Sequence, residues 1–320
     1  MLLLSCLWHL PALAGPNGRG NNRSDAIIFP PSSPPATVRF VTPTLKVGFP
    51  NRYITDIWDD DFGYIVKDIN PASYALNFPT TGANRLYFDL IIYGYGDVDG
   101  LTWMPVTHEG ITATVKPITR MESWVHNRDW ILNKNPFSYA RVTLTGPDAN
   151  AQWGNPHPSR IPVPRLPQTF ELVGKDSNGE EVVKYGFVLQ KWFVHREWRG
   201  EASYIRDYSE AVAWCGGLGY RVPQVKELTN AVCDFHSCEG AIGATPPSTG
   251  NFSLHWIGAG FFSEWGDMNA YRSANFGYTG FWTSDTTTWG NRLQYTVGPN
   301  GYINYGRADY SLELAICTTP

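Results

Sequence analysis

The sequence predicts a mainly β protein with a small α+β domain, in which a β-sandwich is followed by a shorter mixed domain. Three observations carry that prediction. Glycine and proline make up 55 of the 320 residues, 31 and 24 respectively, above the roughly 12% of average usage, which favours turns and short strands over long helices. Charged residues are only 17% whereas Phe, Trp and Tyr reach 14%, a composition that excludes a coiled coil. Alternating apolar runs fill the chain to about residue 175, and helical patterns occur only after Tyr185. At 42% apolar residues there is enough material for a core in each of two domains.

In chain order, MLLLSCLWHLPALAG is an apolar stretch ending in Ala12, Leu13 and Ala14. That A-x-A site before Gly15 reads as a signal peptide over residues 1–14, because about 13 apolar residues are too few to span a bilayer. Residues 15–35, rich in Gly, Asn, Ser and Pro, read as a flexible linker. From Ala36, the runs TVRFV, RLYFDLIIYG, ITATVKPI, YARVTL and TFELVG alternate apolar and polar residues between turn residues, the signature of half-buried strands. Such density of strands predicts a sandwich over 36–182. Pro147 to Pro167, interrupted by Pro156, Pro158, Pro162 and Pro164, predicts an extended connection.

Asp176-Ser-Asn-Gly followed by Glu-Glu-Val-Val-Lys predicts a hairpin turn. Residues 183–320 form the second domain. YGFVLQKWFV is expected as one strand. Asp207 then caps a helix with Ala211, Trp214, Cys215 and Leu218 on one face, closed by Gly216, Gly217 and Gly219. A short helix from Pro223 is expected to bury Val225, Leu228 and Val232. LHWIGAGFF, GFWTSD, LQYTVG, YINYG and LELAIC complete the domain as short aromatic strands.

Net charge is −4, with no run of five like charges, so nothing attracts the chain to nucleic acid, which needs clustered Lys and Arg. Beyond Cys6 in the signal, four cysteines remain: Cys215, Cys233, Cys238 and Cys317. An even number in an exported chain points to two disulfides, with three connectivities open. The competing reading is zinc at Cys233, His236 and Cys238, whose C-x-x-H-x-C spacing lacks a distant partner pair.

The order strand, helix, helix, Trp256-Ile257-Gly258 and final cysteine strand resembles a C-type-lectin-like domain. WCGGLGYRVPQVKELTNA, flanked by YGFVLQKWFV before it and by GAGFFSEWG and FWTSD after it, is similar to the C-terminal module of enterobacterial invasin- and intimin-like adhesins, in which an immunoglobulin-like sandwich precedes the lectin-like tip. The resemblance covers about residues 36–320. It implies an immunoglobulin-like domain over 36–182 and a C-type-lectin-like domain over 183–320. Trp256, Ile257 and Gly258 would then mark a core strand and Cys215 would pair with Cys317, leaving Cys233 with Cys238. It also implies an adhesin-type binding module, secreted or on the bacterial surface, that engages a host cell-surface protein or glycan. Members usually carry their own outer-membrane β-barrel and sandwich repeats. Neither is in this sequence, so the alternative implied is a secreted virulence-modulating protein exported by, or docked to, a separate invasin-like barrel. The Glu-Pro-Asn, Gln-Pro-Asp and Trp-Asn-Asp triplets of calcium-dependent lectins are absent, so sugar binding at the usual calcium site is not expected.

No H-E-x-x-H, G-x-S-x-G, P-loop or dinucleotide glycine pattern occurs, and no catalytic residue or cofactor is expected. His195 and His255 are read as structural. Asp59, Asp60 and Asp61, and Asp97 with Asp99, are read as turn residues before calcium ligands. Recognition is expected from exposed aromatic and Arg side chains. Trp265, Tyr271, Trp289, Tyr302 and Arg307 are expected to edge that surface, because a domain of this size cannot bury every aromatic between Phe262 and Arg307.

Overall fold

Each alternating run of the first half forms a strand in the computed structural model, which describes residues 36–43, 56–60, 62–96, 98–118, 137–233, 238–287 and 293–320. The expected signal peptide and linker lie outside the described residues, as do Asp61 and Asp97. Strands β1 (Thr37–Thr42), β2 (Trp58–Asp59), β3 (Gly63–Ile65), β4 (Thr81–Ala83) and β5 (Tyr87–Tyr93) are followed by β6 (Thr102–Trp103), β7 (Val106–His108), β8 (Ile111–Ile118) and β9 (Phe137–Thr145). β10 (Gln168–Lys175), β11 (Glu181–Leu189) and β12 (Lys191–His195) lead into helices α1 (Tyr208–Leu218), α2 (Val225–Leu228) and α3 (Phe261–Trp265). β13 (Phe281–Thr286), β14 (Leu293–Val297), β15 (Ile303–Arg307) and β16 (Ile316–Thr318) complete the chain. The protein is mainly β with a small α+β part toward its C-terminal end.

A seven-stranded antiparallel sheet runs β2-β3-β1-β5-β9-β8-β7 and a three-stranded sheet runs β11-β10-β6. Alternation explains their packing: Phe170 and Leu172 of β10 and Phe187 and Leu189 of β11 are fully buried, and Phe88 of β5 meets Phe187 edge-on at 5.8 Å. One charged pair enters this region in register. Asp89 faces Arg141 across β5 and β9, and the guanidinium grips both carboxylate oxygens at 2.8 and 3.0 Å while lying over the Tyr87 ring at 4.1 Å. Bidentate pairing of this kind satisfies a buried carboxylate that would otherwise be costly. The hairpin at Asp176 forms as expected, its side chain accepting from the Asn178 and Glu180 amides at 2.8 and 3.0 Å. The proline-rich connection carries no strand.

In the C-terminal region, Asp207 caps α1 by accepting from the Ser209 amide at 2.7 Å, and Gly219 closes it in the left-handed conformation, φ 89°. Ala211, Trp214, Cys215 and Leu218 are all buried. α2 ends at Leu228, so Val225 and Leu228 are buried while Val232, expected on the same stripe, is 37% exposed. Two further expectations are corrected. YGFVLQKWFV is two strands: β11 pairs with β10, whereas β12 pairs antiparallel with β16 and parallel with β4. The Gln190 and Lys191 amides both donate to the Thr80 carbonyl, and the chain changes sheet there. An apolar run buried on both sides carries no mark of that change of partner.

LHWIGAGFF is not a strand either. The Ala259 amide donates to the Trp256 carbonyl at 3.2 Å, Gly258 and Gly260 have φ of 79° and 102°, and α3 starts immediately after. A side chain at Gly260 would collide with the backbone at the end of α2, 2.6 Å from the Thr229 nitrogen, so the glycine is required both by its conformation and by the close approach. Trp256, Ile257 and Gly258 therefore form a turn, the first two half-buried and the glycine exposed. β11 runs across residues 182 and 183, where the sequence places the domain boundary. One continuous hydrophobic core extends from Val38 and Phe88 to Trp214 and Phe281.

Candidate functional site

Four cysteines close two disulfides. Cys215 of α1 joins Cys317 of β16, with a Cα–Cα distance of 5.5 Å, and Cys233 joins Cys238 at 5.6 Å, both separations that a disulfide spans. His236 lies outside the described residues. Among the described residues no group of three His, Cys, Asp or Glu is placed to hold a metal ion, and no helix is long and apolar enough to cross a membrane.

The four described residues among the five expected to edge a recognition surface separate into two sets. Trp265 and Tyr271 are fully buried, which corrects the expectation of exposure. The Trp265 indole donates to the Thr81 carbonyl at 3.0 Å and packs edge-on against Phe78 at 4.8 Å. The Tyr271 hydroxyl donates to the Trp265 carbonyl at 3.0 Å, and its ring meets Tyr87 at 5.3 Å. Both are covered by residues of the sandwich half. Counting the aromatics of one domain alone missed this, because the covering surface comes from the other. Trp289 lies outside the described residues.

Tyr302, 41% exposed, and the exposed Arg307 do face outward. Arg307 holds Asp309 at 3.1 Å. Sequence reasoning did not single out Tyr278 and Tyr310, 76% and 60% exposed. The Tyr310 hydroxyl accepts from Arg206 at 2.9 Å, whose guanidinium lies over its ring. The run of polar and glycine residues around each was the available signal. Together these side chains place exposed rings at both ends of β15 and on the loop before β13.

Elsewhere in the core, one carboxylate ties Thr80 and Thr81 to α3. Glu264 of α3 is fully buried and accepts five donors. The Thr80 amide and hydroxyl reach Oε1 at 3.1 and 2.6 Å, the Thr81 amide reaches Oε2 at 2.9 Å, the Thr81 hydroxyl also bonds Oε2, and the Gly258 amide reaches Oε1 at 2.7 Å. Burial raises its pKa while the Thr80, Thr81 and Gly258 donors pull the other way. The Tyr64 hydroxyl from β3 adds bonds to the Ser263 and Glu264 carbonyls at 3.2 and 3.0 Å.

Two buried histidines flank the same core. His255 stacks on Trp58 at 3.8 Å; His195 stacks on Phe276 at 3.8 Å and donates from Nε2 to the Ala274 carbonyl at 2.8 Å. Burial lowers the pKa of each to about 4. A histidine held neutral when folded but protonated below about 6.5 when unfolded contributes stability that is complete above pH 6.5 and is lost as pH falls toward 4. Each should therefore cost about 2 kcal/mol of stability at pH 5 relative to pH 7. Urea melts at the two pH values measure this, and His195→Gln and His255→Gln should each flatten the dependence by about half. An unchanged slope would contradict the assignment.

No protein-family model and no curated protein matches the sequence. Solved structures do match it. The crystal structure of the C-terminal 282-residue fragment of intimin in complex with the translocated intimin receptor (Tir) intimin-binding domain is 13% identical, with a TM-score of 0.44, over 89% of this chain and 66% of that one. An EHEC O157:H7 intimin mutant is 13% identical over 82% and 92% of the two chains, with a TM-score of 0.38. An intimin–Tir90 complex is 10% identical over 88% and 98%, with a TM-score of 0.35. This chain thus spans 66% of the length of the first of these. None of them lends a residue role to it.

Proposed function

We propose that this chain is an exported bacterial binding module of the adhesin type, whose lectin-like region, residues 183–320, recognises a host cell-surface protein or glycan without a calcium site of the usual kind. The observation that carries the reading is the exposure of Tyr278, Tyr302, Tyr310 and Arg307 around a region in which Trp214, Phe262, Trp265, Tyr271, Phe281 and Trp282 are buried. Rings and guanidinium groups left on a surface are the residues that supply most binding energy at protein interfaces. Two described core histidines are wedged against rings and the most buried carboxylate is occupied by donors of its own fold, so these groups are spent on the fold. Flow cytometry of epithelial cells incubated with the full chain tests this. Saturable binding that persists in EDTA and weakens on Tyr302→Ala and Tyr310→Ala supports the proposal. Absence of saturable binding, or binding indifferent to both substitutions, overturns it.

A further inference from the structure

A cleft of about 390 Å³ opens between the loop before β13 and the β14–β15 turn. Its chemistry is unlike that of the surrounding surface. The hydroxyls of Thr279 and Thr296 are buried and have no hydrogen-bond partner in the fold, and Thr296 is only 1% exposed. Both residues line this same cleft. A buried hydroxyl left unpaired costs about 1–3 kcal/mol, so two at one place need an explanation.

Glu313 also lines the cleft. Its carboxylate accepts from the Ser311 hydroxyl at 3.2 Å and faces no Lys or Arg among the residues lining the cleft. Gly280 lets these groups converge: a Cβ there would collide with the Glu313 carboxylate and come within 3.1 Å of the Thr296 hydroxyl. At the rim, Asn300 and Asn304 turn their side-chain oxygens to the Tyr302 and Tyr305 amides at 3.3 and 2.9 Å, which leaves their NH₂ groups to donate. Tyr278 and Tyr302 flank the opening, and both are exposed.

Charge and polarity narrow the ligand. Asp267 and Glu313 with no cationic residue beside them repel phosphate, sulfate and carboxylate. No Leu, Ile, Val, Met or Phe lines the cleft, so an apolar peptide anchor has nothing to bury against. A hard divalent cation needs six to eight converging oxygens, whereas here Asp267 spends one carboxylate oxygen on the Asn269 amide. What fits hydroxyls, amide donors and a carboxylate below, with aromatic rings beside them, is an uncharged ring bearing several hydroxyls and one apolar face. The volume lies within the usual range of small-ligand sites.

We propose that this cleft is a calcium-independent subsite for a neutral saccharide residue, with Thr279, Thr296 and Glu313 pairing its hydroxyls and Tyr302 stacking on its apolar face. This rests on the reading of the chain as a binding module and names the ligand class of one part of it. Saturation-transfer NMR on the full chain tests it with glucose, galactose, N-acetylglucosamine and lactose as probes, N-acetylneuraminic acid as the anionic comparison, and EDTA or calcium in the buffer. Transfer to at least one neutral sugar, undiminished by EDTA and absent for N-acetylneuraminic acid, is expected. Tyr302→Ala and Thr296→Val should each weaken that sugar at least tenfold, and Thr296→Val should leave Tm unchanged or raised because it removes an unpaired hydroxyl. Silence of all four neutral sugars, a calcium requirement, preference for the acidic sugar, or full binding by both variants would overturn the proposal. Cell binding measured in parallel separates the two readings. Cell binding without sugar binding removes this subsite and leaves the module intact, whereas sugar binding without cell binding does the reverse.

Discussion

Glu264→Ala should lower the unfolding free energy by about 3–5 kcal/mol, the range for removing one member of a satisfied buried charged network. The loss comes from the partners left behind. The amides of Thr80, Thr81 and Gly258 and the two threonine hydroxyls all point at one carboxylate that water does not reach. Removing it orphans five donors at once. Glu264→Gln keeps one acceptor oxygen but turns an NH₂ toward the remaining donors, so it should fall between, with a loss of about 1–3 kcal/mol. Urea denaturation of both variants at neutral pH measures the difference. A loss below about 1 kcal/mol for the alanine variant would show that the five contacts are not held together in solution.

Cys215→Ser with Cys317→Ser should cost about 4–5 kcal/mol, because the link closes 102 residues and removes the corresponding freedom from the unfolded chain. Cys233→Ser with Cys238→Ser closes only five and should cost about 2 kcal/mol on the same basis. The ordering is the test: thermal melts of the two double variants should rank the long link well ahead of the short one. The long link also ties α1 to β16, the strand that pairs with β12, so its loss should release the C-terminal strand first. Equal effects of the two would indicate that the chain-entropy contribution is offset by structure remaining in the unfolded state.

How much of this was legible beforehand depends on the range over which each feature is written. β8 reads ITATVKPI and buries its residues in that alternation; α1 starts at its Asp207 cap and stops at Gly219. The exposure of Tyr302 and Arg307 was legible from residue type and neighbours. The turn at Trp256–Gly258 was not, since two glycines with positive φ look like any others in sequence. Nor was the burial of Trp265 and Tyr271, which follows from residues 78–87 lying over them.

Sequence alone determined β1, β5, β8, β9 and β10, the helices α1 and α2 and the even set of cysteines, because side-chain period, end caps and cysteine parity are local properties of a chain. Tertiary structure decided that β4, from the N-terminal half, pairs parallel with β12, which leads into the helices, and that a single glutamate from α3 is spent on holding Thr80 and Thr81 in place. Those outcomes depend on which distant backbone groups find each other once water is excluded. A donor left unpaired there carries a penalty wherever its partner lies in the chain, and no spacing of residues records the choice.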